Sequence, residues 1–217
     1  MNIFFTSDTH YNHKNIVRGT TEWTVFEKGS SHQRTRDFET LQEHNAALVK
    51  SINGMVGKDD TLYHLGDWSF GGFDSIMEFR KQLKCQNIHL IYGNHDHHIE
   101  NNKGGIQGAF KSVGHYKEVR VGTHHFILSH FAMRVWNKSH KGSIMLYGHS
   151  HGTLDEYTPA IANPTWIGDE YFIKNYRTMD VGVDTNNLYP YHLDEIVDIM
   201  TKKDVLLEVD HHNISTN

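Results

Sequence analysis

The amino-acid sequence predicts an α/β fold in a single domain that spans residues 1–217. Short β-rich runs alternate with amphipathic helical segments, which is typical of α/β and mixed-sheet proteins. Several of these runs are apolar throughout, as strands are when both faces of their sheet are covered. The length suits one hydrophobic core, and no internal repeat, low-complexity tract or linker divides the chain. We therefore expect one folding unit.

Eight short runs rich in β-branched and aromatic residues predict the strands. In chain order they are Ile3–Ser7, Thr61–Leu65, Ile88–Tyr92, Glu118–Val121, Phe126–Ser129, Ile144–Tyr147, Met179–Val183 and Val205–Val209. Polar residues gather directly after several of them, at the positions where the strands are expected to end.

Three helices are predicted between the strands. The first begins near Asp37, carries an apolar stripe with a 3.6-residue period, and is expected to stop at Asn53-Gly54. The second begins at Asp74, which we predict to be its N-cap. The third spans about Asp194 to Lys202, where apolar residues again recur at helical spacing.

Three segments lack a clear period and are expected to be long loops: Tyr11–Arg36, His97–Tyr116 and Gly152–Tyr176. Loops of this length are uncommon in compact domains, and they often act as lids or binding loops. The third segment contains Trp166 and Tyr171. These aromatic residues are candidates for a substrate-binding wall, and a small hydrophobic cluster under the loop is the alternative.

Composition excludes several classes of protein. The net charge of −5 argues against a protein that holds nucleic acid by bulk electrostatics. No apolar run approaches the roughly 18 residues of a membrane-spanning helix. The single cysteine, Cys85, excludes an internal disulfide framework and a cysteine-based zinc finger. The chain starts with a strand-like run rather than a signal peptide, so we expect a cytoplasmic protein.

Histidine is unusually frequent, with 19 residues beside 26 carboxylates. Imidazole and carboxylate together form the ligand set of divalent transition metals when thiolates are absent. Solvated surface histidines would give the same count. Composition alone therefore leaves metal binding and a plain polar surface equally open.

Polar side chains of the types that bind metals follow five of the predicted strands. Asp8-Thr9-His10 follows the first strand, Gly66-Asp67 the second, Gly93-Asn94-His95-Asp96 the third, His130 the fifth and Gly148-His149-Ser150-His151 the sixth. In open α/β sheets, ligands bind beyond the carboxyl ends of the strands, so the five ends can meet in one crevice. Each motif alone is common by chance, whereas this ordered set on successive strand ends is not.

This ordered set resembles the calcineurin-like metallophosphoesterase superfamily, whose motifs read D-x-H, G-D, G-N-H-[DE], H and G-H-x-H. The sequence is most similar to the small phosphoesterases of bacteria and their phages, through Gly66–Gly71 and Val181–Asp184. The resemblance covers the stretch from Asp8 to His151. It implies two mixed β-sheets packed face to face as a sandwich and flanked by helices, a four-layer αββα fold.

The resemblance also implies a centre with two divalent metal ions. Matched motif by motif, the ligands of one ion would be Asp8, His10, Asp67 and His151, and those of the other Asp67, Asn94, His130 and His149, with Asp67 bridging. Two ions roughly 3.5–4 Å apart neutralise phosphoryl oxygens and lower the pKa of a shared water. Mixed nitrogen and oxygen ligands without sulfur favour Mn, with Fe, Zn, Ni or Co as alternatives, over Mg or Ca.

His95 matches the histidine that faces the substrate without binding metal, and we expect it to donate a proton to the leaving oxygen. The protein Ser/Thr phosphatases of this superfamily carry an Asp and an Arg where this sequence has Phe70 and Gly71. A phosphoprotein phosphatase is therefore not expected, and a phosphate-clamping arginine must come from a loop. The candidates are Arg134 and Arg177, with Arg18, Arg34 and Arg36 as alternatives. His64, Asp96, Asp180 and Asp184 are not assigned as metal ligands, and we expect them to support the ligands or the fold.

We expect a metal-dependent phosphoesterase that favours a phosphodiester, with a phosphomonoesterase as the alternative. Its substrate would be a small phosphate ester, and a nucleotide is one candidate. Gly148–Gly152 also matches the G-x-S-x-G motif of serine hydrolases. A non-catalytic binding protein of the same fold is a third interpretation, although such a protein would have lost His95 or Asp67. The sequence predicts no oligomeric state.

Overall fold

The structure is a computed structural model that describes residues 1–21, 35–156 and 177–203, with 155 and 156 described through their backbone alone. Its strands are β1 (Ile3–Thr6), β2 (Thr61–His64), β3 (Asn87–Ile91), β4 (Ser112–Gly114), β5 (Tyr116–Val121), β6 (His124–Ser129), β7 (Ile144–Tyr147), β8 (Thr178–Asp180) and β9 (Tyr191–His192). Its α-helices are α1 (Arg18–Thr21), α2 (Leu41–Met55), α3 (Gly72–Gln82), α4 (His97–Glu100), α5 (Thr153–Glu156) and α6 (Leu193–Lys202).

The described strands form two mixed sheets. The first has the order β4-β3-β2-β1-β9, in which β1 to β4 are parallel and β9 is antiparallel to β1. The second has the order β5-β6-β7-β8, in which β6, β7 and β8 are parallel and β5 is antiparallel to β6. Parallel strands place their carboxyl ends at one edge of a sheet, so each sheet has one edge where several loops leave together.

Successive residues of the first sheet face different layers. Phe4 of β1 packs in a cluster with Ile52 of α2 and Phe79 of α3. Its neighbour Phe5 packs instead with Phe126 and Leu146 of the second sheet. Because side chains alternate along a strand, a sheet covered on both faces must be apolar at every position. This explains the uninterrupted apolar runs in the sequence.

The outer face of the second sheet is covered by the loop after β6 and by α5. Trp136 and Leu154 pack there against Ile127, Met145 and Tyr147. The helix α6 buries Ile196 and Met200 against the residues between the sheets. The predicted fold class is therefore confirmed: two mixed sheets form a sandwich with flanking helices.

Seven of the predicted strands are present, each with its ends shifted by three residues or fewer. The eighth, Val205–Val209, lies outside the described residues. Two strands were not predicted, Ser112–Gly114 and Tyr191–His192. Both are edge strands of two or three residues, too short to show an alternating pattern.

The first predicted helix has different ends in the structure. It begins at Leu41 rather than near Asp37, because Thr40 forms a capping box with Glu43. It continues through Asn53-Gly54 to Met55, so the expected stop was wrong. The side chain of Asn53 is used elsewhere: it bonds to backbone groups before and after Leu83.

The second predicted helix also begins earlier than expected. Its N-cap is Gly71, and Asp74 lies inside the first turn instead of capping it. An acidic side chain in the first turn still interacts favourably with the helix dipole. The third predicted helix is confirmed, since α6 covers Leu193–Lys202.

The segments predicted as loops contain short elements. Tyr11–Arg36 includes a 3-10 turn at Lys14–Ile16 and the one-turn helix α1, while residues 22–34 lie outside the described ranges. His97–Tyr116 includes α4, a 3-10 segment at Lys103–Ala109 and β4. Gly152–Tyr176 is described only as far as α5. None of the described helices has the length and apolar character needed to cross a membrane.

Candidate metal centre

The carboxyl ends of β1 and β2 and those of β6 and β7 carry acidic and histidine side chains that converge at one edge of the sandwich. They form two clusters, one of Asp8, His10 and His151 and one of Asp67, His130 and His149. Within each cluster, one possible ligand atom per residue lies within 4.8 Å of the others. Both clusters combine residues from the two sheets, so the centre depends on the sandwich as a whole.

Asp67 lies between the two clusters. Its Oδ2 atom is 3.5 Å from Nε2 of His10 in the first cluster and 3.6 Å from Nε2 of His130 in the second. Its other oxygen, Oδ1, accepts a hydrogen bond from the backbone N–H of His95 at 2.9 Å. One carboxylate oxygen therefore faces both clusters while the other fixes the orientation of the group.

Asn94 joins the second cluster through its amide oxygen. The Oδ1 atom lies 3.0 Å from Nε2 of His130 and 3.0 Å from Nδ1 of His149. The structure thus brings together all seven residues that the sequence predicted as metal ligands. None of the seven is separated from the other members of its cluster.

Two of the histidines are oriented by a hydrogen bond on their far side. Nδ1 of His151 lies 2.6 Å from Oδ2 of Asp184. Nδ1 of His130 donates to the backbone oxygen of Leu65 at 2.8 Å. Nε2 of His130 remains directed at its cluster, 3.6 Å from Oδ2 of Asp67. Histidine ligands of metals are commonly held by such a carboxylate or carbonyl partner.

His10 is buried, and neither of its ring nitrogens has a hydrogen-bond partner. A buried polar atom without a partner is unfavourable by roughly 1–3 kcal/mol, so this ring is suited to a ligand that is not part of the chain. Burial lowers the pKa of His10 well below its ordinary value, and the nearby His151 lowers it further. The neutral form that results is the one that binds a metal ion.

Asp8 is fully buried, and within the described ranges its carboxylate pairs with no lysine or arginine, while Nε2 of His10 lies 3.9 Å from its Oδ1 atom. Its two carboxylate oxygens accept the backbone N–H of His149 at 3.0 and 2.9 Å. Burial raises the pKa of Asp8 well above its ordinary value, and the facing His151 only partly offsets this effect. A bound divalent cation would reverse the shift, because it stabilises the ionised carboxylate. The donor set therefore fits a metal.

The backbone at this edge adopts unusual conformations. Asp8, His10, Asp67, His149 and His151 all have positive φ angles, between 45° and 69°. Residues other than glycine are uncommon in this left-handed region and occur there mainly at functional sites. The strands therefore end in tight turns that aim five potential ligands into the same space.

Asp96 holds the turns after β2 and β3 together. Its buried carboxylate accepts the backbone N–H groups of Asp67 at 2.8 Å, Trp68 at 3.0 Å and Gly93 at 2.8 Å. Burial raises the pKa of Asp96 to about 7, against the lowering effect of these bonds. A Cβ atom at Gly93 would overlap the backbone nitrogen and carboxylate of Asp67, so this close approach requires glycine.

Arg36 was a candidate phosphate clamp, and the structure corrects this prediction. The side chain is fully buried, and all five of its N–H groups are used. Nε and Nη2 bond to the two oxygens of Asp184, each at 2.9 Å, and Nη2 also donates to the backbone oxygen of Asp8 at 2.6 Å. Nη1 bonds to the backbone oxygen of Thr9 at 3.1 Å and to Nε2 of His44 at 2.7 Å. No donor remains for a substrate.

The other arginine candidates lie in different places. Arg177 precedes β8, at the amino edge of the second sheet, and is therefore remote from the metal-binding edge. Arg18 pairs with Asp37 and Glu39 on the surface. Arg134 is exposed in the loop after His130. The remaining candidates, Arg34, Trp166 and Tyr171, lie outside the described residues.

His95 is exposed beside the clusters and belongs to neither of them. Its ring is 5.5 Å from that of His10 and 4.8 Å from that of Phe70. Two neighbours of this site, His13 and Phe131, were not predicted from the sequence. His13 stacks on Phe70, with ring centroids 3.5 Å apart. Phe131 is half exposed, and its ring lies 4.7 Å from His149. His13 lies three residues after His10, and Phe131 directly follows His130. This closeness to a motif residue is the one sequence feature that could have indicated their place in the site.

The serine-hydrolase interpretation finds no support in the described residues. Ser150 lies in the turn between His149 and His151, two residues directed at the clusters. Within the described part of the chain, no histidine is hydrogen-bonded to its hydroxyl group. A serine nucleophile needs such a base.

A buried centre of aspartate and histidine at the strand ends of a two-sheet sandwich defines a class of metal-dependent hydrolases. The sequence profile of the calcineurin-like phosphoesterase family matches residues 1–122, which is more than half of the 217-residue chain. The chain belongs to the calcineurin-like phosphoesterase family. It is therefore an enzyme, a hydrolase that acts on phosphate esters.

Three similar proteins illustrate the range of this resemblance. An uncharacterized protein of Methanocaldococcus jannaschii is 27% identical over 207 residues, with 94% of each chain covered. The gene 66 protein of Mycobacterium phage L5 is 28% identical over 186 residues, covering 70% of this chain and 79% of that protein. The crystal structure of a protein of unknown function from Aquifex aeolicus has a TM-score of 0.59 at 20% identity, covering 91% of this chain and 98% of that one. The Aquifex structure shows that the fold is shared.

Proposed function

We propose that the chain is a phosphoesterase with a two-metal centre that hydrolyses a small phosphodiester. The observation that carries this proposal is the position of Asp67, whose Oδ2 atom lies 3.5 Å from Nε2 of His10 and 3.6 Å from Nε2 of His130. A carboxylate between two clusters is suited to bridging two ions, because its oxygens supply negative charge to both.

The two clusters supply nearly equal ligand sets. Asp8, His10, Asp67 and His151 would hold one ion, and Asp67, Asn94, His130 and His149 would hold the other. When bound, two divalent ions neutralise phosphoryl oxygens and activate a water for attack on phosphorus. The mixture of oxygen and nitrogen donors without sulfur favours manganese, with iron, zinc, nickel and cobalt as alternatives.

His95 is suited to protonate the leaving oxygen. Its backbone is fixed by the hydrogen bond to Oδ1 of Asp67, and its ring is exposed beside the clusters. A histidine in this position can donate a proton to the oxygen that departs from phosphorus. It therefore acts on the substrate rather than on the metal.

The preference for a diester rests on charge. A phosphomonoester carries a second negative charge, which phosphatases commonly neutralise with an arginine. Arg36, the guanidinium hydrogen-bonded beside the ligands, has no free donor, and Arg177 lies at the opposite edge of its sheet. The alternative is a phosphomonoesterase, and the exposed Arg134 in the loop after His130 is the residue that would favour it.

The half-exposed ring of Phe131 beside His149 offers an aromatic face at the edge of the second cluster. Aromatic side chains stack favourably on nucleobases, in the range of roughly 1–3 kcal/mol per base. A nucleotide is therefore the proposed source of the ester.

The test compares bis(4-nitrophenyl) phosphate with 4-nitrophenyl phosphate after the chain is loaded with manganese. We expect faster hydrolysis of the diester, loss of activity with a chelator and recovery when manganese is added back.

Asp67→Ala should bind fewer than two ions per chain and lose more than about 100-fold in kcat/KM, because it removes a ligand from both clusters. Asp194→Ala, which removes an exposed carboxylate of α6, is the matched control. Full metal content and turnover in Asp67→Ala would refute the two-metal proposal, and faster hydrolysis of the monoester would refute the preference for a diester.

A further inference from the structure

A basic cleft lies at the opposite edge of the second sheet from the metal centre. It has a volume of about 260 Å³ and lies between the β5–β6 turn and the segment that leads into β7. The residues that line it are Arg120, Gly122, Thr123, His124, His125, Lys138, Lys141, Gly142 and Ser143. They precede or begin β6 and β7, whereas the metal-binding residues follow these strands. The length of β6 places the two sites roughly 20 Å apart.

Positive charge is concentrated in this cleft. Arg120, Lys138 and Lys141 line it, and no lining residue among those described is acidic. Arg177 adjoins it, since a Cβ atom added to Gly142 would lie 3.9 Å from its Nε atom. In the described part of the chain, none of these four side chains forms an ion pair. The whole chain is acidic, with a net charge of −5, so the cleft departs locally from the overall charge.

The acidic residue nearest in sequence, Glu118, does not neutralise these cations. Its carboxylate accepts hydrogen bonds from the hydroxyl of Tyr116 at 2.8 Å and from Nδ2 of Asn137 at 2.9 and 3.1 Å, and it pairs with Nε2 of His125 at 2.8 Å. The carboxylate is thus occupied at the margin of the cleft. Unpaired cations close together repel one another, and an anion between them would remove this repulsion.

We propose that this cleft is a second binding site, for a small phosphate-bearing polyanion. Guanidinium groups bind phosphate oxygens in pairs, and ammonium groups add point charges around them. The volume suits a ligand the size of a short polyphosphate or a nucleotide rather than a single phosphate ion. An extended nucleic acid would also meet the acidic remainder of the chain, which opposes its binding. The site is independent of the proposed phosphoesterase activity because it shares no residue with the metal centre.

The test titrates the full, metal-loaded chain with sodium tripolyphosphate by isothermal calorimetry. Magnesium is kept in excess over the probe so that the probe does not withdraw metal from the chain. All variants keep the metal centre, so any binding of tripolyphosphate there is the same in each of them. Binding that is lost only when cleft residues are substituted is therefore assigned to the cleft. We expect saturable binding, and Arg120→Ala/Lys141→Ala should lower its association constant by about tenfold or more, since each charged hydrogen bond contributes strongly. Arg120→Gln/Lys141→Gln replaces this variant if thermal unfolding shows that the alanine form is not folded.

Lys50→Ala/Lys58→Ala removes the same charge from two exposed positions outside the cleft and serves as the matched control. This control should change the association constant less than about twofold. An equal loss in both double variants would mean that only the overall charge attracts the probe and would overturn the proposal. Absence of a cleft-dependent component would overturn it too. If a 20-nucleotide single strand displaces tripolyphosphate and binds more tightly, the ligand is a nucleic acid and the small-anion assignment is wrong.

Discussion

His95 is the residue at which proton transfer and metal binding can be separated. Its ring belongs to neither candidate cluster, although its backbone N–H donates to Oδ1 of Asp67. A substitution of the side chain leaves that backbone bond in place. Any effect of such a substitution on turnover therefore reports on the imidazole itself.

His95→Asn should leave the metal content unchanged and lower kcat by about 10²–10⁴-fold, the usual loss when a general acid is removed. The loss should be largest for alkyl or nucleoside esters, whose leaving groups need a proton. It should be smaller for nitrophenyl esters, which leave readily as anions. Parallel metal analysis and assays with both ester types provide the measurement. Equal slowing of both esters together with loss of metal would show that His95 is a ligand or a structural residue.

Arg36 acts on the site from within the protein. It connects the backbone oxygens of Asp8 and Thr9 to the carboxylate of Asp184, which in turn orients His151. Burial alone would lower the pKa of His151, but the bond to Asp184 raises it. The guanidinium thus stabilises the strand end that presents the first cluster.

Arg36→Lys should lower the free energy of unfolding by about 3–5 kcal/mol, because an ammonium group cannot replace five donors and leaves Asp184 and two carbonyl oxygens poorly paired. Urea unfolding of the two proteins measures the difference. Arg18→Lys is the control, since Arg18 pairs with Asp37 and Glu39 on the surface, where solvent screens the pairs and the substitution should change stability far less. Similar effects of the two substitutions would exclude this role for Arg36.

At the scale of secondary-structure elements, the ends of α2 illustrate how local chemistry overrides sequence pattern. The apolar stripe predicts the helix, but its start is fixed by the reciprocal bonds of Thr40 and Glu43. Its end is fixed by packing, because Ile52 just before Asn53-Gly54 and Val56 just after it are both buried in the cluster under the first sheet. The start of α2 could therefore have been found from the Thr40–Glu43 spacing, whereas its end depends on tertiary packing that no local pattern contains.

Thr40→Ala should lower the free energy of unfolding by about 1 kcal/mol, because the backbone N–H of Glu43 loses its acceptor at the start of α2. Thr40→Ser keeps the hydroxyl group and should restore most of that stability. Chemical denaturation of the three proteins is the measurement. A serine variant as unstable as the alanine variant would show that the methyl group, and not the cap, matters at this position.

The strand ends were more predictable than the helix ends. Residues such as Asp67 and His130 were assigned from motifs that follow apolar runs, and the structure brings them together because parallel strands end at a common edge. Arg36 could not be assigned in the same way. It is brought to Asp184 from 148 positions away in sequence, and its burial follows from packing alone. The places of His13 and Phe131 likewise depend on ring contacts across the site: His13 stacks on Phe70, and Phe131 makes an edge contact with His149.

At the scale of the whole molecule, several histidines are buried in the neutral form. Burial lowers the pKa of His64 from 6.5 to about 3 and that of His44 to about 3, with the Arg36 charge adding to the effect at His44. His64 accepts from the backbone N–H of Gly66 and contacts the hydroxyl of Thr9 at 2.9 Å. These two histidines take up protons near pH 6.5 in the unfolded chain but only near pH 3 in the folded chain.

Stability should therefore fall as the pH drops from about 6.5 towards 3, with each such histidine contributing up to about 1.4 kcal/mol per pH unit. Urea unfolding at pH 7 and pH 5 measures the slope. His64→Gln should make the dependence shallower, whereas His115→Gln, at an exposed position, should leave it unchanged. The candidate metal ligands also titrate, but they are the same in all three proteins, so the difference between the slopes reports on the substituted histidine alone. An unchanged slope in His64→Gln would contradict the neutral, buried state of this residue.

The left-handed backbone at Asp8, His10, Asp67, His149 and His151 has a consequence for protein engineering. Each of these conformations is unfavourable by about 1–2 kcal/mol for a residue that has a side chain, and glycine would adopt it freely. A redesign that scores every position by its compatibility with the local backbone would therefore choose glycine at all five. The resulting chain would relieve the backbone at these turns and lose five of the seven candidate metal ligands. The native sequence keeps side chains with ligand atoms at these five positions, although each of them lowers the stability of the fold.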